Sequence, residues 1–323
     1  MTAVYLAIQM TLLMSVGFFS RKAGIVDEKF SKSLGNFLYH FGFTCVVLKA
    51  MMSADLSNIG EMGILILISL CTMGIMFIFA VSINHLTRKK DDMSRITIVD
   101  LMFVNFTFMA FPIIEALYGE QGSIYIVAYT IPVRILFYVV SPLILATAAS
   151  KAAASDEPLK RAPVSMGKAI RKVLLSAPVL AIPVGFALSF LPKLPDPVMN
   201  SISAIAGVVT PMGMALCGMC LAEVPILESL KSGRIWFLTV LRLFAAPAIA
   251  LGGMFLLTRA VSLDPVLVKM CVVYCALPAA ASTTILAMNA GSDATKAAQC
   301  VFTTTASSVI TLPIWVYLAD KIF

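Results

Sequence analysis

The sequence predicts an all-α polytopic membrane protein with ten transmembrane helices in two inverted five-helix repeats, helices four and nine being broken and crossing. Three observations lead there. Apolar residues make up 60% of the 323-residue chain and charged residues 13%, with a mean hydropathy of +0.95; soluble domains average about 45–50% and about 25%. Ten segments reach the roughly 20 mostly apolar residues that a spanning helix needs. The basic loops between them fall on one side.

The segments run near 3–19, 32–52, 63–85, 96–117, 122–147, 170–191, 197–222, 235–257, 265–288 and 295–318. The first, "MTAVYLAIQMTLLMSVGFF", lacks a basic leader and continues to Phe19 before Arg21 and Lys22, so it reads as a helix and not as an export signal. Polar connections such as "HLTRKKDDMSR" (85–95) and "LPKLPDP" (191–197) separate the others. The longest, "SKAAASDEPLKRAPVSMGK" (150–168), divides the chain into a first repeat, 1–149, and a second, 169–323, around a cytoplasmic linker.

Of the 24 lysines and arginines, 17 fall in loops on one side and 5 on the other, while Arg134 and Arg242 lie inside spans. The rich side is expected to be cytoplasmic, which puts both termini outside a cell (plasma or inner) membrane. This distribution explains the net charge of +7 as membrane topology, with no nucleic-acid partner. An odd number of spans per half turns the second half upside down, a common plan among secondary transporters.

Seven cysteines in apolar stretches argue against a disulfide framework. "CGMC" (217–220) matches a metal or redox pair formally, but small residues packing helix on helix explain it better.

Span four, "FVNFTFMAFPIIEALYG" (103–119), carries Asn105 and, seven residues on, Pro112. Pro112 lacks a donor and is expected to free the carbonyl near Phe108, at a cost of several kcal/mol in hydrocarbon unless something satisfies it. Span nine repeats the pattern in "ALPAAASTTILAMNAG" (276–291): a proline, small residues, Thr283, Thr284 and Asn289. Two breaks at matching places in inverted halves can cross near the midplane and turn the N-termini of their second halves toward an anion. Asn105, Pro112, Thr283, Thr284 and Asn289 are the expected site, and a small carboxylate the expected ligand.

Several stretches, taken in order, resemble the auxin efflux carrier family. They are "GFFSRKAGIVDEKFSKSLGNFLYHF" (17–41), "NFTFMAFPIIEALYGEQG" (105–122), "TPMGMALCGMCLAE" (210–223) and "ALPAAASTTILAMNAGSDATKAAQCVFTTTASSVITLP" (276–313). Nearly all of the chain is covered. Ala110 stands where the family usually has glycine, and Thr44 where span two often has proline. The resemblance implies crossing fourth and ninth helices in a movable domain, and a scaffold of spans one, two, six and seven through which members often dimerise. It also implies organic-anion substrates: auxin in plants, malate or malonate in bacteria.

Ionisable groups inside spans are costly and so are functional candidates. Arg134, halfway along span five, has a planar fork suited to a carboxylate; the competing reading pairs it with Asp100 or Glu115. Arg242 is expected to lie shallow in span eight and to reach the cytoplasmic interface. Asp100 and Glu115 flank the crossing near span ends, where solvated positions are expected, and either could couple transport to protons if it faced a cavity. His40 in span two could titrate, although packing between helices is the commoner use. Asp100, Glu115, His40 and Arg242 are thus the coupling or gating candidates. No metal site or cofactor is expected, and coupling to H⁺ or Na⁺ stays open. Two histidines in unrelated segments, with neither "HExxH" nor "GxSxG", argue against a hydrolytic enzyme. An anion-binding receptor or a channel is the alternative to a carrier.

Overall fold

The structure is a computed structural model and describes residues 2–52, 59–87, 91–146, 175, 177–190, 194–222, 229, 231–290 and 292–323. The linker 150–168 and the basic residues 88–90 lie outside these. Helices follow one another as α1 (Thr2–Lys22), α2 (Glu28–Phe37), α3 (Phe43–Met52), α4 (Ile59–Thr87), α5 (Asp92–Met102), α6 (Phe111–Ala146), α7 (Ala177–Ser189) and α8 (Asp196–Ala222). Then come α9 (Gly233–Val240), α10 (Ala246–Ala260), α11 (Pro265–Cys275), α12 (Ser282–Ala290) and α13 (Ala294–Ile322). Among the described residues the only pairing of extended backbone is one antiparallel bridge, Val104 with Ala279.

Among the described residues, five stretches are long and apolar enough to cross a membrane: Met62–Thr87, Phe111–Leu145, Asp196–Ala222, Gly233–Ala260 and Ala294–Ile322. The second is interrupted at Gly119, whose φ of 62° is a left-handed value that glycine adopts at little cost. The remaining expected spans fall on α1, on α2 with α3, on α5 with the start of α6, on α7, and on α11 with α12. The chain is therefore an all-helical, multi-pass membrane protein.

Four aspartates start helices by accepting a backbone N–H: Asp27 for α2, Asp91 for α5, Asp264 for α11 and Asp293 for α13. Among the described residues, three π-helical segments, Leu38–Gly42, Phe106–Ala110 and Leu241–Ala245, interrupt the stretches expected as spans two, four and eight. Such turns shift the hydrogen-bond register and often mark functional positions. In span two, Thr44 Oγ1 donates to the His40 carbonyl at 2.6 Å, tying the start of α3 to the π turn.

The helices pack in two groups. α1, α3, α7 and α8 pack chiefly on one another, while α4, α5, α6 and α9–α13 surround the bridge. The closest approach is between α1 and α8. A Cβ at Gly17 would lie 1.8 Å from the Ala215 carbonyl oxygen, and one at Gly218 would lie 1.8 Å from that of Met14. Only glycine fits at either place, which accounts for the glycine inside "CGMC" through packing.

Candidate functional site where the broken helices cross

Helix α5 ends at Met102, and Phe103 turns to extended backbone (φ −118°, ψ 127°). The second broken helix, α11, ends at Cys275 and resumes as α12 at Ser282. The two gaps lie side by side. The Asn105 N–H donates to the Pro278 carbonyl at 2.8 Å, and the Ala280 N–H donates to the Phe103 carbonyl at 3.2 Å. The Ala279 N–H donates to Thr304 Oγ1 at 3.3 Å. These bonds replace the intrahelical ones that each break forfeits, as unsolvated backbone requires.

The break in span four thus lies at Phe103–Asn105, ahead of the position expected from Pro112. Pro112 is buried in the first turn of α6, where its missing donor costs least, and the π turn Phe106–Ala110 precedes it. Both Met109 and Ala110 donate to the Asn105 carbonyl, at 3.2 and 3.1 Å. The amide-bearing residue, not the proline, is the hinge between the two half-helices.

Arg242 departs furthest from the sequence-based expectation. It is 1% exposed and does not reach the interface. Its Nε donates to the Leu277 carbonyl at 3.1 Å, Nη1 to that of Leu101 at 2.8 Å and Nη2 to that of Cys275 at 2.9 Å. One guanidinium therefore caps the C-terminal ends of both first half-helices. Each end carries roughly −0.5 of an elementary charge, so the two together balance one cation. Arg242 itself sits in the π turn Leu241–Ala245, and Trp315 Nε1 donates to the Leu243 carbonyl there at 2.7 Å.

Asp100 is not at an interface either. It is 0% exposed, one turn before the break, against Thr283 of α12 and within electrostatic reach of Arg242. Neither carboxyl oxygen, nor Thr283 Oγ1, has a hydrogen-bond partner among the described residues. Thr283 is equally buried, while Thr284 is half-buried.

Arg134 is 5% exposed. Its guanidinium carbon stands 5.6 Å from the ring centre of Phe106 and 5.5 Å from that of Phe111, a cation–π pairing beside the start of the second half-helix. Phe137 packs edge-on against Phe103 and Phe106, at 5.1 and 5.3 Å. The Tyr129 and Tyr274 rings meet at 4.6 Å with their planes tilted by 59°.

The paired gaps accordingly gather Asn105, Thr283, Arg134 and Arg242, with Asp100 one turn ahead of them. They leave out Glu115, half-buried further along α6 and near Lys49, and His40, exposed on the span-two π turn. Asn289 lies on α12, with its side chain outside the described atoms. The sequence placed these charges in or at the ends of apolar spans, but it put Asp100 in a solvated position and Arg242 at the interface, and it missed that Arg242 binds carbonyls of two distant segments. No local signal gives that. Among the described residues no cluster of three or more His, Cys, Asp or Glu could hold a metal ion.

Outside the membrane, Arg234 holds Asp91 by two bonds of 2.6 and 2.9 Å. This guanidinium, with the Ser94 donors behind it, keeps the Asp91 carboxyl well below the usual carboxylate range. At the start of α11, Asp264 Oδ2 accepts from Gln121 at 2.7 Å and from Tyr125 at 3.2 Å. Both first half-helices are thus capped by an aspartate that a neighbouring element grips.

Residues 2–316 match the family described as membrane transport protein. A protein described as an uncharacterized transporter of Methanocaldococcus jannaschii is 22% identical over 314 residues, covering 94% of this chain and 94% of that relative.

Proposed function

The chain belongs to the membrane transport protein family, that of the auxin efflux carriers, and from that premise we propose that this membrane transporter is a secondary carrier of a small organic anion. It moves a carboxylate such as malate, malonate or an auxin-like acid across a cell membrane by alternating access, with the anion held at the crossing. Ten spans form two inverted five-helix repeats, with both termini outside. The group of α1, α3, α7 and α8 serves as the scaffold and as a homodimer contact, and the group around the bridge moves against it.

One observation carries the reading. Two helices break at the same depth and pair through Val104 and Ala279, with buried Asn105 and Thr283 beside them. Irregular backbone inside a membrane is tolerated where protein buries it or a cavity adjoins it, and paired half-helices are the way carriers hold ions and anions at mid-depth. Arg134 supplies a cation near the start of the second half-helix, and its aromatic neighbours keep the surroundings dry, which strengthens charge interactions. Thr283 and Asn105 orient the carboxylate; Thr284, Asn289 and the turn at Pro112 complete its surroundings.

The test is counterflow of radiolabelled malate and malonate in proteoliposomes. Asn105→Ala should abolish saturable exchange while the purified variant keeps its melting temperature. Unchanged exchange kinetics in that variant would overturn the assignment. Binding without accumulation would mark a receptor, and currents beyond carrier turnover a channel.

A further inference from the structure

Asp100 has no place in holding the anion, yet it is a carboxyl buried inside a span. It is 0% exposed, and neither of its oxygens has a hydrogen-bond partner within 3.5 Å among the described residues, the Thr283 hydroxyl standing beside it at longer range. A buried carboxylate in that condition costs many kcal/mol unless a cation joins it. Arg242 is close by but is not free to be that cation. Its Nε, Nη1 and Nη2 are committed to the carbonyls of Leu277, Leu101 and Cys275. Its charge is already matched by two helix ends of roughly −0.5 each.

Among the described residues, the other groups around Asp100 add no positive charge. From α13 comes the Cys300 thiol, itself beside Met93 sulfur at 3.9 Å. From α12 comes the Thr283 hydroxyl. Between Glu61 and His85, α4 carries no ionisable group except the exposed Cys71. On α6, Arg134 stands over Phe106 and Phe111, and Tyr129 faces Arg242 and Cys275.

We propose that Asp100 is a proton-binding site, and that the carrier moves one H⁺ together with its anion. The proton joins a carboxylate oxygen, giving a neutral carboxylic acid that can cross the dry interior; it leaves to water when the crossing opens to the other side. In the loaded state the acid O–H donates to Thr283 Oγ1, and the threonine O–H is left to donate to the bound anion. Thr283 then links the two ligands, since each orients the hydroxyl that the other needs. The Arg242 guanidinium already occupies three backbone carbonyls beside the breaks, those of Leu101, Cys275 and Leu277, and the ion assigned to Asp100 is a proton and not sodium.

This inference rests on the anion reading of the crossing, and the experiment separates the two. Counterflow of malate and malonate needs no gradient and tests the anion site alone. Uptake driven by an imposed pH gradient tests Asp100, each pH unit being worth roughly tenfold accumulation per proton carried. Asp100→Asn imitates the protonated carboxyl. It should keep counterflow and lose all stimulation by the pH gradient, whereas Asp100→Glu should keep some. A sodium gradient should drive neither protein. Stimulation of Asp100→Asn equal to that of the natural protein, or accumulation driven by sodium, would overturn the proposal. If the natural protein exchanges neither acid, the anion reading fails, and infrared difference spectra between acid and alkaline buffer still decide the matter of Asp100. A protonated-carboxyl band present in the natural protein and lost in Asp100→Asn supports the site; a band that is absent, or unchanged in the variant, sinks it.

Discussion

Replacing Arg242 by methionine removes the cap shared by two half-helices while keeping most of the side-chain volume. Three buried carbonyls, those of Leu101, Cys275 and Leu277, lose their donor. At about 1–3 kcal/mol for each orphaned group, the gross loss is roughly 3–9 kcal/mol. Against this stands the recovered cost of burying a guanidinium, several kcal/mol. Removing one member of a buried charged arrangement usually costs about 3–5 kcal/mol net, and that is the expected range here. It is a large share of a stability that in most proteins totals about 5–15 kcal/mol.

The assay is thermal melting of the detergent-purified protein, read by tryptophan fluorescence, because Trp315 packs on the same π turn. Arg242→Lys should fall between Arg242→Met and the natural protein, since an ammonium keeps the charge but has no planar fork to reach three carbonyls at once. A methionine variant that melts with the natural protein would refute the idea that this residue staples the crossing.

Three further outcomes follow from the geometry. Asn105→Ala should eliminate saturable malate or malonate exchange, with the melting temperature held, in proteoliposome counterflow. Gly218→Ala should destabilise by about 1–3 kcal/mol or more, because its Cβ would lie 1.8 Å from the Met14 carbonyl oxygen and α1 must be driven off α8; a variant that melts normally would contradict the close packing. Asp91→Ala should cost about 1 kcal/mol through the lost helix cap, with little added by its exposed ion pair with Arg234. The folded pKa of Asp91 lies below its unfolded value, so its contribution is fully present above the usual carboxylate range. It fades only as pH falls through the depressed folded value, and melting curves around neutral pH should show no step from it.

The membrane class and the five long apolar helices were legible because hydrocarbon imposes a length and a composition that no packing detail can override. The paired interruptions were legible too: Asn105 with Pro112, and Pro278 with Thr283, mark both halves. Their exact seat was not. Proline announces that a helix is disturbed, but the π turn Phe106–Ala110 absorbs Pro112 into a first turn, and the gap opens where the backbone of the other half can pair with it. Phe103, Val104 and Asn105 contain no breaker; their extended form depends on Pro278 and Ala280 across the bridge.

The same division separates the charged residues. Sequence alone determined that Arg134, Arg242 and Asp100 lie within apolar segments and must each find a reason to be there, since burying charge without one is too costly. Tertiary structure decided which reason applies. Arg134 meets two rings, Arg242 meets three carbonyls from segments 33 to 141 residues away, and Asp100 is left facing a threonine. Hydropathy is a local property, summed along a helix, whereas the partner of a buried charge is chosen by the crossing of helices that the chain brings together only when it folds.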